Sequence, residues 1–64
     1  MTKVGVIGLG DMGSGLAKNL IKAGFDVAGL DLSEKRRDAF VKMGGRAVKT
    51  AAALADGAEA VFVM

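Results

Sequence analysis

Val4-Gly5-Val6-Ile7-Gly8-Leu9-Gly10-Asp11-Met12-Gly13-Ser14-Gly15-Leu16 decides the fold. Val4, Val6, Ile7 and Leu9 make a short, nearly continuous apolar run, broken by Gly5 and Gly8. A run of that length reads as a strand, Val4–Leu9, buried on both faces. A helical period begins inside the glycines. Met12, Leu16, Ala17, Leu20 and Ile21 fall on one face, and Ser14, Lys18, Asn19 and Lys22 on the other. Gly24 stands where a left-handed residue stops a helix.

Working outward, Phe25 to Leu30 reads as a second strand that ends at Asp31. Ser33 is an N-cap, with Glu34 favourable in the first turn. The helix it opens runs to about Met43. Ala39, Phe40 and Met43 lie together on it, and Lys35, Arg36, Arg37 and Asp38 face water. Gly44-Gly45 ends it. Arg46 to Lys49 suits a short edge strand. Thr50 caps an alanine-rich helix, Ala51 to Ala55, with Asp56-Gly57 as its exit. Ala60 to Met64 reads as another buried strand. This βαβαβαβ alternation implies a parallel sheet with right-handed crossovers. Such a sheet needs helices on both faces, and this chain supplies too few. The expectation is therefore the first half of a nucleotide-binding domain.

Composition sets the bounds. At 64 residues the chain holds at most one domain. It has no Cys and no His, which excludes disulfides and thiolate or imidazole metal sites within it. Apolar residues make up 52% and charged residues 25%, a globular balance. The net charge of +2 is too small to argue for nucleic acid or an anionic membrane as partner. No apolar run approaches the roughly 18 residues of a transmembrane helix, and the N-terminal run is too short and glycine-rich for a signal peptide. A cytoplasmic protein is expected. Lys18 and Lys22 sit on the polar helix face and are poor candidates for a catalytic base.

Gly8-x-Gly10-x-x-Gly13 alone is a weak signal, but its context is right. It follows a strand, opens a helix, and an acidic residue ends the next strand. Asp31 lies 18 positions after Gly13 and 21 after Gly10, close to the spacing of about 20 in dinucleotide-binding folds. Gly8 allows the tight turn, Gly10 lets a pyrophosphate approach the backbone, and Gly13 lets helix and strand pack closely. Free N–H groups around Asp11 and Met12 point at the phosphates, helped by the helix dipole. The Asp11 carboxylate is expected to point away, and the Met12 side chain to pack in the core. Gly15 is read as relieving crowding where the helix crosses the sheet. Asp31 is placed to accept from the adenosine ribose hydroxyls and to repel a 2′-phosphate, which favours NAD over NADP. Its blander reading is an Asx turn. Ser33, Lys35, Arg36 and Arg37 just downstream argue the other way, since an Arg there could hold a 2′-phosphate, unless Lys35 to Asp38 is simply a wet helix face.

The stretch from Val6 to Gly24 resembles the β-hydroxyacid dehydrogenase family, which includes 3-hydroxyisobutyrate dehydrogenase, tartronate semialdehyde reductase and L-threonate dehydrogenase. The shared pattern is Gly-Leu-Gly-x-Met-Gly, then Met-Ala-x-Asn-Leu, then Lys-Ala-Gly. Leu16 replaces the usual Met, and Leu32 stands where many members carry Arg, which makes NADP use less expected. Ala58 to Met64 resembles a later strand of the same family. The resemblance implies a Rossmann-type dinucleotide-binding domain, of which residues 1–64 are the N-terminal part. It also implies a helical domain beyond Met64 carrying the substrate site, a catalytic Lys and the contacts of a homo-oligomer. The implied activity is hydride transfer between NAD and a small hydroxy acid or its oxo form. The residues carried over, all for cofactor, are Gly8, Leu9, Gly10, Asp11, Met12, Gly13 and Asp31; none is catalytic. The crevice is expected at the ends of the Val4–Leu9 and Ala60–Met64 strands. Relatives of 6-phosphogluconate dehydrogenase, imine reductases, and a non-catalytic NAD-binding module are the competing readings.

Overall fold

Strand and helix alternate as the apolar pattern dictates. The computed structural model describes residues 2–64. Its elements are β1 (Lys3–Ile7), α1 (Asp11–Lys22), β2 (Asp26–Leu30), α2 (Glu34–Lys42), β3 (Arg46–Ala47), α3 (Ala51–Ala55) and β4 (Ala60–Val63). The four strands form one sheet in the order β3-β2-β1-β4, and every pair is parallel. The chain steps outward from β1 to β3, then returns through α3 to lay β4 on the free side of β1. The strand order thus reverses between β1 and β4, the place where ligand crevices open in such sheets.

The helix starts differ in a way that bears on function. The Ser33 hydroxyl accepts from the Arg36 N–H at 3.3 Å and opens α2. The Thr50 hydroxyl accepts from the Ala53 N–H at 3.0 Å and opens α3. A cap of this kind is worth about 1 kcal/mol. The α1 helix starts at Gly10 with no side-chain cap at all.

The core lies under α1 and α2. Val4 and Val6 of β1 and Val27 of β2 pack with Leu9, Ala17 and Phe40, closed in by Leu20, Ile21, Phe25 and Met43. The Phe40 ring lies so close to Gly29 and Gly45 that a Cβ at either position would meet it. Full burial of such a side chain contributes about 1.5–3 kcal/mol. On the opposite face Leu54 of α3 is buried over Gly5, where an added Cβ would lie 2.6 Å from the leucine Cδ2.

Five expectations are corrected. The final strand is not buried: Val61, Phe62, Val63 and Met64 are all exposed, because β4 is an edge strand with only α3 packed beside it. Met12 is 77% exposed instead of in the core. It lies in the first turn of α1, and helical side chains lean toward the N-terminus, which carries this one past the end of the sheet. Gly15 has open space around it and relieves no crowding. Arg37 is half-buried, not on a wet face, because its guanidinium donates to the Asp31 carbonyl oxygen at 2.6 Å. The first strand also ends at Ile7, so Gly8 and Leu9 belong to the turn.

Candidate functional site

The turn after β1 is built around two backbone demands. Gly8 has φ of +91°, a conformation that side chains rarely adopt, and its N–H donates to the Leu30 carbonyl oxygen at 2.8 Å. Gly13, the third residue of α1, sits directly over Gly8, and a Cβ there would collide with the Gly8 carbonyl oxygen. The helix therefore rests on the turn at a distance that only glycine permits. Gly10 is different. Its φ of −72° suits any residue, and the nearest atom to an added Cβ is Arg36 Nη1 at 3.6 Å, an ordinary contact. Nothing inside the protein requires glycine at position 10.

The first intrahelical bond runs from the Ser14 N–H to the Gly10 carbonyl oxygen, 2.8 Å. Among the described residues the N–H groups of Asp11, Met12 and Gly13 have no acceptor, as the first turn of an uncapped helix requires. They border a pocket of about 170 Å³ lined by Gly8, Gly10, Asp11, Met12, Gly13, Arg36 and Met64. Free donors at the positive end of a 12-residue helix form a site for an anion.

The turn after β2 uses its polar groups inward. Asp31 Oδ2 accepts from the Leu9 N–H at 2.7 Å, and Oδ1 accepts from the Ser33 N–H at 2.8 Å. Arg36 Nη1 lies 3.8 Å from Oδ2. The Asp31 side chain is only 9% exposed. The Ser33 N–H, then the Leu9 N–H, and the Arg36 and Arg37 charges hold its carboxyl below the usual aspartate range, against the opposing effect of burial. The carboxylate is thus charged at neutral pH and ties the glycine turn to the end of β2. A carboxylate has about four acceptor positions; two are taken by these N–H groups. Asp31 also lines a cleft of about 520 Å³ between Ile7, Gly8, Leu30, Leu32 and Arg36 on one side and Lys49–Ala51 on the other. Leu32 is wholly exposed on its rim.

Of the residues the motif singled out, Gly8, Gly10, Asp11, Met12 and Gly13 surround the small pocket, and Asp31 stands in the adjoining cleft. Leu9 is buried and its N–H is bonded to Asp31, so it ties the glycine turn to the end of β2. One set of contributors was missed: Lys49 to Ala51 reach the cleft only through the return crossover, which no local pattern reports. Arg36, weighed from the sequence only as a holder of a 2′-phosphate or as part of a wet helix face, lies three residues past the Ser33 cap, and that single helical turn brings it back over Gly10.

The donor set fits a dinucleotide: unpaired N–H groups and a helix dipole for a pyrophosphate, an open α-carbon at Gly10, and a charged carboxylate at the next strand. A strand, an uncapped helix on a glycine turn and an acidic residue across the parallel neighbour together define a Rossmann-type dinucleotide-binding unit. The chain belongs to the family described as the NAD binding domain of 6-phosphogluconate dehydrogenase, whose model matches residues 3–64. It is 39% identical over its whole length to 22% of a 3-hydroxyisobutyrate dehydrogenase from Pseudomonas aeruginosa. The solved structure of a Mycobacterium tuberculosis 3-hydroxyisobutyrate dehydrogenase with L-serine superposes on all of it with a TM-score of 0.93 and 30% identity, over 22% of that chain. An imine reductase from Pseudomonas sp. matches 97% of it with a TM-score of 0.88 and 32% identity, again over 22% of that chain. The chain therefore spans about a fifth of the length of these relatives. Among the described residues no helix is long and apolar enough to cross a membrane.

Proposed function

We propose that this chain is the N-terminal, cofactor-holding part of a cytoplasmic, homo-oligomeric NAD-dependent oxidoreductase that acts on a small 3-hydroxy acid or its oxo form. The observation that carries the reading is the unpaired N–H row of Asp11, Met12 and Gly13 facing the Gly8–Gly13 pocket, with the Asp31 carboxylate in the cleft beside it. The N–H groups bind the pyrophosphate, Gly10 leaves it room, and Asp31 takes the adenosine ribose hydroxyls on its remaining acceptor positions. A half-buried, charged Asp31 disfavours a 2′-phosphate, hence NAD over NADP. Leu32 and Ala51 offer apolar walls to the adenine. NAD supplies the nicotinamide that gives or takes the hydride. The rest of the nucleotide-binding domain, the substrate site and the catalytic residue belong to sequence beyond Met64.

A second reading, an imine reductase, is favoured by the 32% identity and TM-score of 0.88 to such an enzyme. Steady-state assays of the full-length protein separate the two. Oxidation of 3-hydroxyisobutyrate or L-serine, with a higher kcat/KM for NAD than for NADP, is the expected result. Reduction of an imine with no turnover of either hydroxy acid would replace the first reading by the second.

A further inference from the structure

The pocket at the glycine turn has an electrostatic deficit. The α1 dipole brings about half a positive charge to it. Asp11, in the same first turn, brings a full negative one. A dianionic pyrophosphate there needs a cation. Among the described residues one cationic side chain lines that pocket, Arg36. Its Nη1, Cζ and Nη2 atoms lie 3.6, 3.8 and 4.0 Å from where a Cβ on Gly10 would stand, so the guanidinium rests over the glycine that the pyrophosphate approaches. It also lines the larger cleft, and so stands at the junction of the two.

Arg36 is free to serve. The side chain is 57% exposed, and among the described residues its 3.8 Å approach to Asp31 is its one ion pair. A pair that exposed is worth about 0–1 kcal/mol. Asp31 does not depend on it, since both carboxylate oxygens already accept backbone N–H groups. Arg37, one residue on, is not available, because it is fixed on the Asp31 carbonyl oxygen.

We propose that Arg36 is a phosphate-binding residue of the cofactor site: its guanidinium turns from Asp31 onto the pyrophosphate and supplies the counter-charge that the helix dipole and Asp11 leave unmet. The proposal rests on the dinucleotide reading of the glycine turn. A guanidinium suits this task because its planar fork can donate two parallel bonds to phosphate oxygens.

The test is calorimetric titration of the full-length protein and its Arg36→Ala and Arg36→Lys variants with NAD, NADP, ADP-ribose and adenosine, at two salt concentrations. In Arg36→Ala, NAD and ADP-ribose weaken about 10- to 100-fold, the range expected for a hydrogen bond to a charged group. Adenosine, which has no phosphate, keeps its affinity within about twofold, Arg36→Lys recovers part of the loss, and the salt dependence of ADP-ribose binding becomes shallower. Unchanged NAD with weakened NADP would make Arg36 a reader of the 2′ position and overturn the proposal. So would an equal loss for adenosine and ADP-ribose, which would place its effect on the ribose through Asp31. If the wild-type protein binds neither NAD nor ADP-ribose, the dinucleotide reading itself falls, and this assignment with it.

Discussion

The turns after β1 and β2 sit side by side, joined by the Leu9–Asp31 hydrogen bond, and dispose their polar groups in opposite senses. The β2 turn is satisfied from within: Asp31 binds two backbone N–H groups, Arg37 binds the Asp31 carbonyl, and Ser33 caps α2. The β1 turn leaves three successive N–H groups without acceptors and its helix uncapped. The free donors of a helix start are met by a cap, by water or by a ligand, and at a glycine turn the helix dipole favours an anionic one. The β2 turn is finished as it stands; the β1 turn leaves its donors open to a ligand. The same contrast divides the glycines of the motif, for Gly13 is required by the fold and Gly10 is not.

The largest effect is expected where the fold makes the demand. Gly13→Ala drives a methyl into the Gly8 carbonyl oxygen, a backbone atom that cannot change rotamer. The loss should exceed the roughly 1–3 kcal/mol of ordinary overpacking, and the full-length variant should fail to give a cooperative unfolding transition. A melting temperature near that of wild type would show that α1 can lift off the turn, and the contrast between the two glycines would vanish.

Asp31→Ala comes next. It removes two charge-assisted bonds and leaves the Leu9 N–H half-buried without its acceptor, at a cost of about 2–3 kcal/mol in denaturant unfolding at neutral pH. The cost should depend on pH. Because the folded carboxyl is held below its ordinary value, its stabilisation is fully present above the unfolded pKa of about 3.9. It is lost as pH falls through that value and then through the lowered one. The stability gap between wild type and Asp31→Ala should therefore begin to narrow below about pH 5. A gap that stays constant down to pH 3 would mean that Asp31 acts by shape alone.

Much of this was legible in the sequence because it is local. The β1–α1–β2 order, the Ser33 and Thr50 caps and the glycine-to-aspartate spacing all follow from periods and turn chemistry within a few residues. What escaped depends on where elements end. Helical periodicity groups Met12 with Leu16, yet at the first turn that face has already passed the end of β1. An apolar run such as Ala60–Met64 reports a strand that is apolar on both faces, not what covers it. The sequence offers two meanings for Asp31, ribose acceptor and Asx turn. The structure shows the turn bond to Ser33 and, unforeseen, a bond to Leu9 across the sheet, with acceptor capacity to spare. That second bond joins residues 22 positions apart, beyond any local rule.

Gly10 offers the most direct test, because here the protein makes no demand and the ligand does. Gly10→Val keeps an allowed backbone, and its Cβ comes nearest the exposed Arg36 side chain at an ordinary contact distance, so its stability cost should be the smallest of the three, about 1 kcal/mol or less for a poorer N-cap residue. Its isopropyl group stands where the pyrophosphate must come. Calorimetric titration of the full-length variant with NAD, with thermal unfolding as the control, should give a dissociation constant weakened at least about 100-fold, roughly 2.8 kcal/mol, in a protein that still folds. A folded variant that binds NAD as the wild type does would contradict the account, and would reduce the glycine turn to a way of starting a helix.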